Sequence, residues 1–183
     1  IIVSAVVLGL TGMDGMFGKP VTGILESLLG VNIPNGTYMD RAASTLQYPN
    51  TLGATMGTSL LLICIRKLNS SSKKMNVFLQ GSAFITLLTL GFTMSRGAII
   101  LLLPIWVALL LLLKGRERYR FCVFSSLTVI ISVFIYLLSM LQHDNSTAVW
   151  LFIIVGIFVS CLMGYYFSHI SKLFQGIGKK RIA

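Results

Sequence analysis

Acidic side chains are nearly missing from this sequence: five Asp and Glu stand among 183 residues, against 15 Lys and Arg. None of the five lies in the middle of a long apolar run, which argues against ion-coupled transport, where intramembrane carboxylates carry the coupling. Cysteine is scarce too. Cys64, Cys122 and Cys161 all lie inside apolar runs, at spacings that suit neither a disulfide framework nor a zinc site. They read as small apolar residues. HExxH, CxxC, GxGxxG and Walker patterns are absent, so soluble-type metal or nucleotide chemistry has no support. Charge of either sign is rare, at 11% of residues, whereas a soluble domain of this size needs a more polar surface.

What the chain has instead is apolar length. Hydrophobic residues make up 55% of it, mean hydropathy is +0.86, and the charges cluster in short patches between apolar runs. Those runs suit membrane-crossing helices of about 17–25 residues. The expected fold is all-α: a polytopic helical membrane protein, one membrane domain over 1–183. It has one truncated N-terminal helix over about 1–12 and five full transmembrane helices over about 50–65, 77–94, 98–113, 121–141 and 148–168. The opening "IIVSAVVLGL" is half a span, without an initiator Met or the basic n-region of a signal peptide. The chain is therefore expected to be a piece of a longer protein. Within 13–49, "VTGILESLLGVNI" is apolar and amphipathic, suited to lie along the membrane–water interface.

Loop charge sets the orientation. The segments 66–74, 114–120 and the tail after 170 hold 12 of the 15 Lys and Arg; the alternate connections hold only Lys19, Arg41 and Arg96, with four of the five acids. Every second loop is thus basic, and basic loops are cytoplasmic. Residues 13–49, the "SRG" turn and "QHDNSTA" then face outside. The net charge of +10 forms no continuous stripe with aromatic interleaving, so no nucleic-acid partner is expected. Membrane lipids are the expected partners of these loops.

Arg96 is the exception in this pattern, a lone guanidinium between "VFLQGSAFITLLTLGFTM" and "AIILLLPIWVALLLLL". A charge inside a span costs roughly 2.5–3.5 kcal/mol on insertion scales. The flanking spans, about 24–27 Å long at about 1.5 Å per residue, place the turn at or just beneath the outer interface. Two readings are open: a snorkelling side chain that caps a hairpin, or a forked cation suited to bidentate capture of phosphate. Gly97 beside it would permit a tight reversal and close ligand approach.

Arg41 falls on the same face, in "DRAASTLQYPNTLGA". Tyr48 reads as an interfacial anchor, Pro49 as a helix start, and Asn50 as a polar group able to line a site with either arginine. "GATMG" (53–57) reads as small-xxx-small helix packing. His143 and Asp144 stand in an outer loop, where a catalytic base is conceivable but a solvated histidine is the plainer reading.

Together, "RAASTLQYPNTLGA" and, about forty residues on, "TMSRGAIILLLP" resemble the O-antigen ligase/polymerase superfamily of bacterial membrane glycosyltransferases. The likeness covers about residues 38–113 and is carried by Arg41, Ser44, Thr45, Tyr48, Pro49, Asn50, Ser95, Arg96 and Gly97. It implies a metal-independent enzyme without cofactors in the bacterial cytoplasmic membrane. Such an enzyme moves glycan from an undecaprenyl-pyrophosphate donor to an acceptor glycan or lipid on the outer face. Arg96 is then the catalytic group, with Arg41, Tyr48, Asn50, Ser95 and Gly97 binding substrate. The family also carries a large outer loop with a further arginine and a histidine. This sequence lacks that loop, so the chain alone is expected to be inactive. A transporter or channel, or a non-enzymatic membrane scaffold, remain the alternatives on the residues alone.

Overall fold

In a computed structural model, which describes residues 1–30, 37–38, 41–70, 72–142 and 144–180, the chain is almost entirely helical. The helices are α1 (Ile2–Met16), α2 (Thr22–Leu29), α3 (Pro49–Leu68), α4 (Lys73–Thr93), α5 (Arg96–Leu112), α6 (Gly115–Leu141) and α7 (Ser146–Lys180). Pro49 opens α3, where its missing N–H has no helical partner to lose, and Arg66 and Lys67 close it against the negative end of the helix dipole.

The segment between α1 and α3 is tied down locally. Asp14, buried at the end of α1, accepts hydrogen bonds from the Val21 and Thr22 N–H groups and from the Thr22 hydroxyl, which fixes the start of α2. Gly30, at φ 64°, closes α2 in the left-handed conformation that glycine adopts without strain. Next comes an antiparallel pairing of Thr37–Tyr38 (β1) with Arg41–Ala42 (β2), a two-residue ribbon the apolar patterning did not predict. The Ser44–Leu46 3₁₀ turn leads into α3. Ser44 sits at φ 55° and shares a 2.7 Å hydrogen bond with Thr11 of α1.

α4 is the central helix and packs against α1, α3, α6 and α7. From Leu79 onward almost every residue of it is buried, yet much of it is polar: Gln80, Ser82, Thr86, Thr89 and Thr93 are all buried. The threonine hydroxyls donate back to carbonyls of their own helix. Gln80 Nε2 instead reaches across to Thr128 Oγ1 of α6 at 2.9 Å, a hydrogen bond between helices where no water competes. Glycines bring α7 close. A Cβ on Gly156 would lie 2.4 Å from Phe84, and one on Gly164 would lie 2.9 Å from the Asn76 carbonyl oxygen. On α6 the buried stripe Ser125, Thr128, Ser132, Ile135 and Ser139 repeats at helical spacings of three and four.

Among the described residues, four helices are long and apolar enough to cross a membrane, over Pro49–Leu68, Lys73–Thr93, Glu117–Leu141 and Ser146–Tyr166. The shorter apolar helices are Ile2–Met16 and Arg96–Leu112, so the sequence expectation of five full spans meets four helices of full length. The basic connections gather at one end of the bundle, where Arg120 Nη2 donates to the Ser70 carbonyl at 3.3 Å and Lys73 lies over the Tyr165 ring. At that end Arg118 also donates to the last carbonyls of α5, Leu113 at 2.8 Å and Leu111 at 3.2 Å. The α4–α5 turn and the start of α3 lie at the other end.

Candidate functional site

The α4–α5 reversal is made by Met94 and Ser95. Met94 takes the left-handed conformation at φ 49°, and Ser95 is extended. Arg96 is therefore not in the turn but at the first position of α5, with Gly97 second. Gly97 does not make the reversal that the sequence suggested, since the turn is complete two residues before it. A Cβ there would meet nothing within 4 Å, so open space does surround it.

Ser95 caps α5. It is buried, and its Oγ accepts from the Ala98 N–H at 3.4 Å while its own N–H donates to Thr93 Oγ1 at 3.3 Å. Its carbonyl takes the Ile99 N–H. The N–H groups of Arg96 and Gly97, which precede the first helical bond, point away from the helix body. Ser95 has a tight neighbour in Gly53 of α3: a Cβ on Gly53 would come within 2.6 Å of the Ser95 Cβ and 3.0 Å of Thr93 Oγ1. Gly57, the other half of "GATMG", meets nothing within 4 Å. One small residue of that motif, not two, sets the approach.

Arg41 binds the same turn from the loop side. Its Nε donates to the Thr93 carbonyl at 2.7 Å and its Nη2 to Asn50 Oδ1 at 3.2 Å. The guanidinium thereby satisfies a C-terminal carbonyl of α4 and clasps the first turn of α3 to it. Arg41, Asn50 and Ser95, far apart in sequence, thus converge on the end of α4, three residues from Arg96. Tyr48 stands at the N-terminus of α3 with 63% of its surface exposed.

Arg96 itself is exposed and has neither a hydrogen bond nor an ion pair among the described residues. A cation at a helix N-terminus stands against the dipole, so the local structure gives it no reason to be there. An anion at this end would meet both the guanidinium and the first-turn N–H groups with favourable sign.

His143 lies outside the described residues. No group of three or more His, Cys, Asp or Glu able to hold a metal occurs among the described residues. Sequence reasoning missed the part played by Thr93, whose carbonyl and hydroxyl organise the turn: it stands first in "TMSRGAIILLLP", where its side chain alone carries no signal. Gly53 reads as a packing glycine, and its close neighbours are Ser95 and Thr93 of the turn. No protein-family model, no curated protein and no solved structure matches the chain.

Proposed function

We propose that this chain belongs to a membrane glycosyltransferase of the O-antigen ligase/polymerase kind. It would hold an undecaprenyl-pyrophosphate-linked glycan on the outer face of the bacterial cytoplasmic membrane for transfer to an acceptor glycan or lipid. In this reading α5 crosses the membrane as a fifth full span, thinned to about 25 Å at about 1.5 Å per residue. The basic end of the bundle is cytoplasmic.

One observation supports it above the rest: a guanidinium with no hydrogen bond or ion pair among the described residues, Arg96, stands beside two open backbone N–H groups at the N-terminus of α5. Cleaving a glycosyl–pyrophosphate bond develops negative charge on the leaving group. A planar cation with two adjacent backbone N–H donors stabilises that charge without a metal. Arg41 holds the turn and keeps one edge of its guanidinium for Thr93 and Asn50, so its part is to position Arg96 and add positive potential.

The test is glycan transfer in cells producing the full-length protein with Arg96→Ala or Arg96→Lys. Surface polymer or ligated glycan is expected to fall about a hundredfold with Ala, the scale of losing one preorganised donor. Lys is expected to rescue only partly, because it cannot bind bidentately. Undiminished glycan in Arg96→Ala would remove Arg96 from the chemistry, and full rescue by Lys would remove bidentate recognition.

A further inference from the structure

α5 has no buried residue. It leans chiefly on α3 and touches α6 only lightly, and beneath it lies a cavity of about 370 Å³ walled by α3, α4, α5 and α6. The volume is that of a ligand cleft. Its floor is Leu88 of α4, and the side chains at its mouth, Ile99 and Leu103 of α5 with Val129 of α6, are each at least 40% exposed. The cavity is therefore a groove that opens sideways between α5 and α6, toward the lipid in a membrane-spanning bundle.

Its length and lining limit what fits. From Phe124 to Tyr136 along α6 it runs about 18 Å, close to the about 15 Å of one leaflet's hydrocarbon. The walls are almost wholly hydrocarbon: of the lining hydroxyls, Ser125 and Thr128 donate back to carbonyls of their own helix, and Ser132 is a lone polar group among apolar side chains. An empty apolar slot forfeits dispersion contacts on every wall, and one hydroxyl falls short of the roughly two to four partners that a buried water needs. On α5, Arg96, Ile99, Leu103 and Trp106 follow one another at spacings of three and four, hence on one face. The last three line the groove, so the guanidinium caps the stripe about one turn above its mouth.

We propose that this groove seats one acyl chain of an anionic phospholipid, phosphatidylglycerol in its simplest form, with the lipid phosphate at Arg96. An acyl chain is the hydrocarbon in greatest supply around the bundle, and the cation at the mouth selects the charge of the head. The site is one of lipid binding and needs no glycan transfer, so it stands apart from the reading above. The two meet only at Arg96, where the phospholipid head would compete with a pyrophosphate.

The experiment is purification of the chain in mild detergent, with retained lipid read by native mass spectrometry and thermal stabilisation read on adding phosphatidylglycerol, phosphatidylcholine or undecaprenyl phosphate. Phosphatidylglycerol is expected to be retained and to stabilise over phosphatidylcholine. Filling the mouth with Val129→Phe or Leu103→Phe is expected to cut retention about tenfold, the effect of overpacking a cleft. Both side chains are half exposed, so the core is left intact, and an unchanged melting temperature without lipid verifies that. Arg96→Gln is expected to keep chain binding and lose the preference between heads. Equal retention of the two phospholipids, or retention untouched by both filling variants, would each overturn the proposal, whereas displacement by undecaprenyl phosphate is the competition expected at Arg96. None of these readouts depends on glycan transfer.

Discussion

Gly53 and Gly57 are the same residue type in one short motif, yet the structure gives them opposite consequences. Gly53→Ala drives a methyl into Ser95 and Thr93 and is expected to cost about 1–3 kcal/mol as overpacking. Gly57→Ala meets open space and is expected to be neutral or to gain up to about 1 kcal/mol of helix propensity. Melting of the two variants in one detergent, side by side, checks both. The arginines divide similarly. Arg41→Ala strands the Thr93 carbonyl and is expected to cost about 1–3 kcal/mol. Arg96→Ala removes no bond made within the described residues and is expected to change stability by no more than about 0.5 kcal/mol. A melting temperature that falls for Arg96→Ala as far as for Arg41→Ala would assign Arg96 a structural role. The sequence named both arginines and Asn50 because charge and polarity at the edge of an apolar run are visible in one dimension, and Ser95 only through the family resemblance. It could not divide them into holder and free group, since the divider, the Thr93 carbonyl, is backbone that every residue has.

Elements were legible where hydropathy reports them and not beyond. The apolar runs located α3 to α7, but α6 starts at Gly115, ahead of the expected 121, and α7 runs on to Lys180. Apolar count measures depth in hydrocarbon, whereas a helix continues into the interface wherever its backbone bonds are satisfied. At the start of α6 the Arg118 side chain helps by bonding the exposed end of α5. The 13–49 segment shows the converse. Its apolar stretch did become α2, but what fixes that helix is Asp14, which acts as its cap from the preceding helix. Asp14→Ala is expected to cost about 1–2 kcal/mol and to loosen α2 before anything else. Limited proteolysis checks this: cleavage should appear first between Lys19 and Gly30 while α3 to α7 stay intact.

At the scale of the whole molecule, loop charge made a statement about two faces, and the bundle has two ends that match that division. Single cysteines on a background lacking the native three test which end faces out. Thr45→Cys and Asp144→Cys are expected to react with a membrane-impermeant maleimide in intact cells, and Lys114→Cys only after lysis. The reverse pattern would invert the topology and with it the placing of Arg96. What no reading of loops could reach is the inequality among the helices. α4 carries hydroxyls and a glutamine and so looks less committed to a membrane than α5, the most uniformly greasy helix. The structure reverses their importance, with α4 enclosed by four neighbours and α5 without one buried side chain. This difference sets how each helix can drift over evolutionary time. Positions of α5 that neither line the groove nor touch α3 are free to exchange among Leu, Ile, Val and Phe, because no protein neighbour buries them or sets their shape. Most positions of α4 admit one size and one hydrogen-bonding capacity. Selection on this chain should therefore leave α5 a blurred record and α4 a sharp one, with the polar letters of α4 the slowest to change.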